Sequence, residues 1–330
     1  MKDLSVVIPV YNTGEHLPRL FEQLQQFPAH RVDIILVNDG SSDNSKTLCE
    51  AMAAKAENFH LIDKENGGVS SARNAGIEAL TSRYVWFCDA DDRFFPEKIM
   101  ALIDEELAAS SADAICFSYE QVSQQSGQSD KCIFPQERSS GHQIIAKYNA
   151  YDGPNNLSTV WNKLFLVDTL RQNKLQFDIS MHHSEDRAFN LNFLYVSQNV
   201  VLSPQLCYQY IRYPSGTLAT SYAPGRIDDT KKSDRIFLEM MQALGRKTEP
   251  LADMMRFNYM TMLTENIIKS QLSFFSGYRL VKKEYNNNRG TDYAVNHFSA
   301  GRSAQVLCGL LNWHLPVLYY SIFWLKEKVK

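Results

Sequence analysis

Three carboxylates fall within four residues at Asp89-Ala90-Asp91-Asp92. Groups of like charge this close repel one another unless a cation or a set of donors compensates. They follow the apolar stretch Tyr84–Cys88, so a merely solvated surface suits them poorly. Hard oxygen ligands of this kind favour Mg2+ or Mn2+, ions that commonly bridge protein carboxylates to substrate phosphates. Arg73 and a bound cation would together offset the charge of a diphosphate. A later pair, Glu185-Asp186, offers a carboxylate for proton abstraction; an acidic first turn of a helix, favoured by the helix dipole, is the other reading. No GxxxxGK(S/T) loop is present, and no GxGxxG follows the first apolar stretch, which speaks against ATP in a Walker loop or NAD in its usual cradle.

The elements that must position these groups alternate along the first 118 residues. Strands are expected at Leu4–Val10, Val32–Asn38, Phe59–Asp63, Tyr84–Cys88 and Ala114–Ser118. Between them the patterns are helical, at about Glu15–Phe27, from a cap at Ser42 or Asp43 to about Ala56, near Val69–Leu80, and from Pro96. Such alternation implies α/β architecture with a mostly parallel sheet. Tyr11-Asn12, Asp39-Gly40-Ser41-Ser42-Asp43, Asn66-Gly67-Gly68 through Arg73, and the Asp89–Asp92 cluster each follow a strand. In an open α/β sheet the crevice outside the strand carboxyl ends is where ligands bind, so four such clusters converge on one place. Residues 119–160 are polar, with Ser123–Asp130 reading as a loop. Helix resumes after Glu185, and Val200–Arg212 reads as a strand pair. From about Pro224 the pattern is helical, clearest at Ile236–Leu244 and Leu251–Leu272. The division is expected near residue 220, into a 1–220 catalytic domain and a helical 221–330 region.

Bulk composition narrows the partners. The net charge of −3 hides an asymmetry: residues 225–330 hold 16 basic and 10 acidic side chains, leaving −9 on residues 1–224. An acidic front excludes a general nucleic-acid binder, whereas a basic back suits an anionic membrane. The six cysteines are scattered without a CxxC pair, which argues against a zinc ribbon or disulfide scaffold and suits a reducing compartment. The apolar run at the front is short and β-branched, expected as a first strand and not a signal peptide, hence a cytoplasmic protein.

With these stretches in view, the chain resembles the family 2 glycosyltransferases of the GT-A fold. The resemblance rests on Val6-Val7-Ile8-Pro9-Val10-Tyr11-Asn12, Val37-Asn38-Asp39-Gly40-Ser41-Ser42-Asp43, Asn66-Gly67-Gly68-Val69-Ser70-Ser71-Ala72-Arg73-Asn74, Asp89-Ala90-Asp91-Asp92, Trp161-Asn162-Lys163-Leu164-Phe165 and Glu185-Asp186. It implies a Rossmann-like sheet flanked by helices. It further implies that Pro9, Tyr11 and Asp39 line the base pocket, that Arg73 lies near the nucleoside or its phosphates, and that Asp89 approaches the ribose. Asp91 would hold the Mn2+ or Mg2+, Asp92 would shape the sugar site, Asp186 would be the catalytic base, and Glu185 would contact acceptor or sugar. Asn38 stands where the family often has a second aspartate, and Ser184 where glycine is common. His182 and His183 flank the base as metal or acceptor contacts or as solvated loop residues. Arg212 is either a diphosphate contact through a closing loop or a surface cation.

The function implied is inverting transfer from a UDP-sugar to a hydroxyl of a glycan or glycolipid acceptor, in bacterial surface polysaccharide or lipopolysaccharide synthesis. A sugar-1-phosphate nucleotidylyltransferase would carry a glycine-rich basic loop where Pro9–Gly14 stands. A silent glycan-binding scaffold would have lost Asp91 or Asp186. Ala304–Leu325 is apolar but interrupted, too short for a confident span. Tyr319, Tyr320, Phe323 and Trp324 beside terminal lysines suit a helix lying on anionic lipid at the inner face of the cytoplasmic membrane. Packing against the catalytic domain or a partner chain is the alternative.

Overall fold

The computed structural model describes residues 1–109, 112–147, 158–213, 223, 225–270, 272–294 and 302–329. They fall into two compact units, one ending before residue 215 and the other beginning there.

The first unit runs β1 (Leu4–Val10), α1 (Leu17–Leu24), β2 (Val32–Asp39), α2 (Ser45–Ala53), β3 (Phe59–Lys64), α3 (Val69–Glu78), β4 (Tyr84–Phe87), β5 (Arg93–Phe94), α4 (Pro96–Ala108) and β6 (Ala114–Ser123). It continues through β7 (Ser129–Cys132), β8 (Glu137–Ser139), α5 (Gly141–Lys147), β9 (Lys163–Leu166), α6 (Val167–Gln172), α7 (Glu185–Val196) and β10 (Val200–Arg212). The strands form one sheet in the order β3-β2-β1-β4-β9-β6-β10-β5, with β7 on β6 and β8 on β10. This is the GT-A type of α/β sheet flanked by helices. Its β3-β2-β1-β4 half is parallel throughout. The other half is mixed, because β9 inserts antiparallel between β4 and β6.

The inner strands β1 and β2 are near-continuous apolar runs buried almost along their full lengths, whereas β3, at the sheet edge, is mostly half-buried or exposed. Trp86 on β4 anchors this core, packing edge-on to Phe94 at 4.9 Å and to Tyr208 at 6.0 Å. Gly76 lets α3 lie close on β1, since a Cβ there would collide with Val7.

Several boundaries differ from the sequence expectation for local reasons. The first helix begins at Leu17, where Pro18 fits the first turn. Asn44, and not Ser42 or Asp43, is the N-cap of α2; the Asp43 carboxylate instead accepts from the Ser45 and Gly14 amides. β6 extends to Ser123 and pairs with β7, so part of the polar stretch is a hairpin. Val200–Arg212 is one strand and not a pair, bent by register shifts between Ser203 and Tyr208 where Pro204 cannot donate to the ladder. All six cysteines are free and buried.

The second unit contains α8 (Arg226–Ala243), α9 (Glu249–Lys269), α10 (Phe274–Asn287), α11 (Arg302–Asn312) and α12 (Pro316–Val329). Met260, Val281, Leu311, Tyr319 and Tyr320 form its core, so Tyr319 and Tyr320, expected against lipid, instead pack inward among these side chains. Among the described residues no helix is long and apolar enough to cross a membrane.

Candidate active site

Loops at the carboxyl ends of β1, β2 and β3 are stitched together by short polar side chains. Asn12 takes a left-handed conformation with φ of 51°, and its side-chain oxygen accepts from the Ser42 amide at 2.8 Å. Asp39, at the end of β2, is buried. Its Oδ1 accepts from Lys64 Nζ at 2.6 Å and from the Gly67 amide at 3.0 Å, and its Oδ2 accepts from the Gly68 amide at 2.8 Å. Asn38 beside it donates to Asp63 at 2.7 Å. Pro9 is half-buried, and Tyr11 stands 51% exposed beyond the strand end, free to meet a planar ligand.

The loop that Asp39 fixes leads directly into α3, which carries Arg73. Arg73 is 3% exposed. Its Nη1 donates to Asp186 Oδ1 at 2.6 Å and lies 3.5 Å from Glu185 Oε1; its Nη2 donates to Asp89 Oδ1 at 3.2 Å. The guanidinium also lies over the Phe177 ring at 5.2 Å. Asn74 secures that ring by exchanging two hydrogen bonds with the Phe177 backbone. One buried cation therefore gathers three carboxylates from two distant parts of the chain.

Asp186 begins α7 and is largely enclosed. Burial is the largest influence and pushes its carboxyl up to about 7; Arg73 opposes this, while Glu185 and Asp89 reinforce it. A carboxylate poised near neutrality is what proton abstraction from a hydroxyl requires. Ser184, the N-cap before it, has φ of 58°. That left-handed conformation accounts for glycine being the residue expected there. His182 is exposed and His183 half-buried.

Asp91 and Asp92 are adjacent yet play different parts. Asp92 is 1% exposed, and both its oxygens are taken: Tyr208 Oη donates to Oδ2 at 2.6 Å and the Ile211 amide to Oδ1 at 2.7 Å. Burial, then Asp91 and Asp89, raises its pKa. It ties the loop after β4 to β10. The Asp91 backbone is held instead, its carbonyl accepting from Arg19 at 2.6 Å and from Tyr213 Oη at 3.1 Å. No side chain among the described residues donates a hydrogen bond to its carboxylate, and burial followed by Asp89 raises its pKa.

Among the described residues no three His, Cys, Asp or Glu side chains are arranged to hold a metal ion. A single protein carboxylate still fits Mg2+ or Mn2+, which keep several waters and take the rest of their shell from phosphate oxygens. Asp91 has that donor chemistry, and the four carboxylates Asp89, Asp91, Glu185 and Asp186 outnumber the two guanidiniums near them, Arg73 and Arg19. Arg212 lies apart, pairing with exposed Asp130 at 3.2 Å. Arg19, Phe177, Tyr208 and Tyr213 were not singled out by the sequence, because their partners lie 72 to 122 residues away.

Residues 5–171 match the family described as Glycosyl transferase family 2. The chain belongs to glycosyl transferase family 2. It is a glycosyltransferase, and one relative, GgaB of Bacillus subtilis, is a minor teichoic acid biosynthesis protein. The matched segment takes in Asp39, Arg73 and Asp89–Asp92 and ends before Glu185-Asp186. A glycosyltransferase of Escherichia coli K12, YibD, is 31% identical over 223 residues, covering 63% of this chain and 60% of that one. TarP of Staphylococcus aureus, a poly(ribitol-phosphate) β-N-acetylglucosaminyltransferase, is 27% identical over 60% of this chain and 59% of its own. The alignments thus span about three-fifths of these relatives. Residues 1–349 of S. aureus TarS, solved with UDP-GlcNAc, superpose with a TM-score of 0.62 at 16% identity, covering 99% of this chain and 92% of that chain.

Proposed function

We propose that this family 2 enzyme transfers a sugar, with inversion, from a UDP-sugar to a hydroxyl of a surface glycan or lipid-linked glycan. The Arg73-centred cluster carries the reading: it sets a carboxylate of near-neutral pKa, Asp186, beside the rim where the strand ends converge. A UDP-sugar is supported by the fold likeness to a protein solved with UDP-GlcNAc. In this scheme Pro9, Tyr11 and Asp39 receive the base, and Asp89 faces the ribose. Asp186 takes the proton of the acceptor hydroxyl as its oxygen bonds to the anomeric carbon, and the bond to the diphosphate breaks to release UDP. Asp91 is the residue to hold Mn2+ or Mg2+, which when bound supplies positive charge against the leaving diphosphate. Arg73 acts through the carboxylates it holds, and Glu185 contacts acceptor or sugar.

The second unit is read as a helical region that rests on an anionic membrane. On α12, Leu318, Ile322 and Leu325 recur at helical spacing and are exposed, next to exposed Trp313 and ahead of Lys326 and Lys328. Co-sedimentation with phosphatidylglycerol vesicles, lost with neutral lipid, is expected; equal partition to neither would remove this part of the scheme.

Calorimetric titration with UDP tests the nucleotide site. Binding that strengthens with Mn2+, and loses that metal response in Asp91→Ala, is expected. Binding that ignores the metal would dissociate Asp91 from this role.

A further inference from the structure

Lys163, the first residue of β9, is completely buried. An ammonium enclosed in protein is costly unless paired, and long charged side chains are rarely found fully buried without a partner of opposite charge. Its hydrogen-bond acceptors are neutral: the Thr159 carbonyl oxygen, and Asn162 Oδ1 at 2.7 Å. No carboxylate pairs with it among the described residues. Burial lowers its pKa to about 8, against which Cys116, then Asp186 and Cys132, pull upward.

The peptide that Lys163 engages is the one that meets the proposed base. The Thr159 carbonyl also accepts from Asn190 Nδ2 at 2.9 Å. Asn190 lies one turn beyond Asp186 on α7, so the two share a face of that helix. The other end of the same peptide, the Val160 N–H, faces the Asp186 carboxylate and favours its charged form. The turn is otherwise locked. The Lys163 amide donates to the Val160 carbonyl at 3.2 Å, Thr159 Oγ1 bonds Asn162 Oδ1 at 2.9 Å, and Trp86 Nε1 donates to the Trp161 carbonyl at 2.6 Å.

We propose that Lys163, together with Asn190, is a positioning residue that orients and polarises the Thr159–Val160 peptide so that its N–H holds Asp186 as an ionised base. The inference rests on Asp186 being the base. Hydrogen bonds in series reinforce one another, so a full positive charge on the carbonyl strengthens the donor at the far end of the peptide. The same ammonium acts on Asp186 through space, adding to Arg73 and opposing Glu185 and Asp89. This gives a buried, unpaired lysine a function that packing alone does not supply.

Aspartate labelled with 13C at Cγ reports the Asp186 carboxyl directly, its resonance assigned by its loss in Asp186→Asn. In Lys163→Met the titration midpoint is expected to rise by about half a pH unit or more, the direction a removed cation dictates. UDP release from the turned-over donor is expected to slow about tenfold or more, with UDP affinity kept within about twofold. Should Lys163→Met not fold, Asn190→Ala probes the same carbonyl from α7 and is expected to move the midpoint the same way. An unmoved midpoint in the folded variant overturns the role of Lys163. Full turnover in Asp186→Asn overturns the base assignment instead, so the two failures are distinct.

Discussion

Arg73 Nη1 lies 2.6 Å from Asp186 Oδ1, joining residues 113 positions apart in the chain. That contact ties α3 to the start of α7. It also makes one guanidinium the direct ion-pair partner of a proposed base that has two acidic neighbours, Glu185 and Asp89. Arg73 is the strongest single influence favouring ionised Asp186.

Removing that cation should unfold or inactivate the protein. Arg73→Met leaves Asp89, Glu185 and Asp186 facing one another without compensation. A loss of about 3–5 kcal/mol is expected for breaking a buried ionic cluster from one side. Arg73→Lys recovers only part of it, since a single ammonium cannot reproduce the fork that spans three carboxylates. Chemical denaturation of both variants reads the difference.

If Asp186 is the base, as proposed, the sign of the pH response is fixed. Its carboxyl is raised to about 7, so the base form disappears as pH falls through that value. The expected kcat/KM is flat above about pH 7 and drops about tenfold per pH unit below it. Stability runs the other way: the folded carboxyl binds its proton more tightly than an unfolded one, so this group costs stability as pH rises from 3.8 toward 7. Rate profiles and denaturation midpoints across this range test both statements.

Asp91 and Asp92 should separate cleanly under the same substitution. Asp92→Asn loses one of two acceptor oxygens that hold Tyr208 and the Ile211 amide, a cost of about 1–3 kcal/mol. Asp91→Asn gives up no side-chain hydrogen bond, and relief of repulsion from Asp89 offsets the lost attraction to His16 and Arg19, so its stability should stay within about 1 kcal/mol of the parent. Its defect should show in the metal response of UDP binding. Melting curves and titrations on the two proteins make the comparison.

Backbone conformation at Ser184 gives a third contrast. With φ of 58°, the position tolerates glycine but not a β-branched side chain. Ser184→Val should be less stable than Ser184→Gly by about 1–2 kcal/mol, with a matching loss of turnover because Asp186 lies two residues on. Thermal unfolding of the pair measures it.

Much of this arrangement is legible in the sequence because it is local. The apolar runs ending in Asn12, Asp39, Asn66 and Asp89–Asp92 place the polar clusters at strand ends, and parallel topology brings those ends to one rim. What lies beyond reach is set by packing. The resemblance assigns Asp91 and Asp92 different roles, but that Asp92 is fully enclosed by Tyr208 and the Ile211 amide follows only from packing. The role of Arg73 as a counter-ion, not simply a phosphate contact, depends on where α7 docks. The bend in β10 follows from register slipping around Pro204, which a hydrophobic pattern reads as two strands. Lys163 falls in an otherwise apolar strand start, and nothing in its neighbours announces that it is wholly enclosed.

The central claim is tested most directly by UDP release from a panel of UDP-sugars in Mn2+ or Mg2+, with Asp186→Ala in parallel. Release from one donor, dependent on the metal and abolished in Asp186→Ala, is the predicted result. Absence of both release and UDP binding across the whole panel would contradict the account and leave a glycan-binding scaffold on a glycosyltransferase fold.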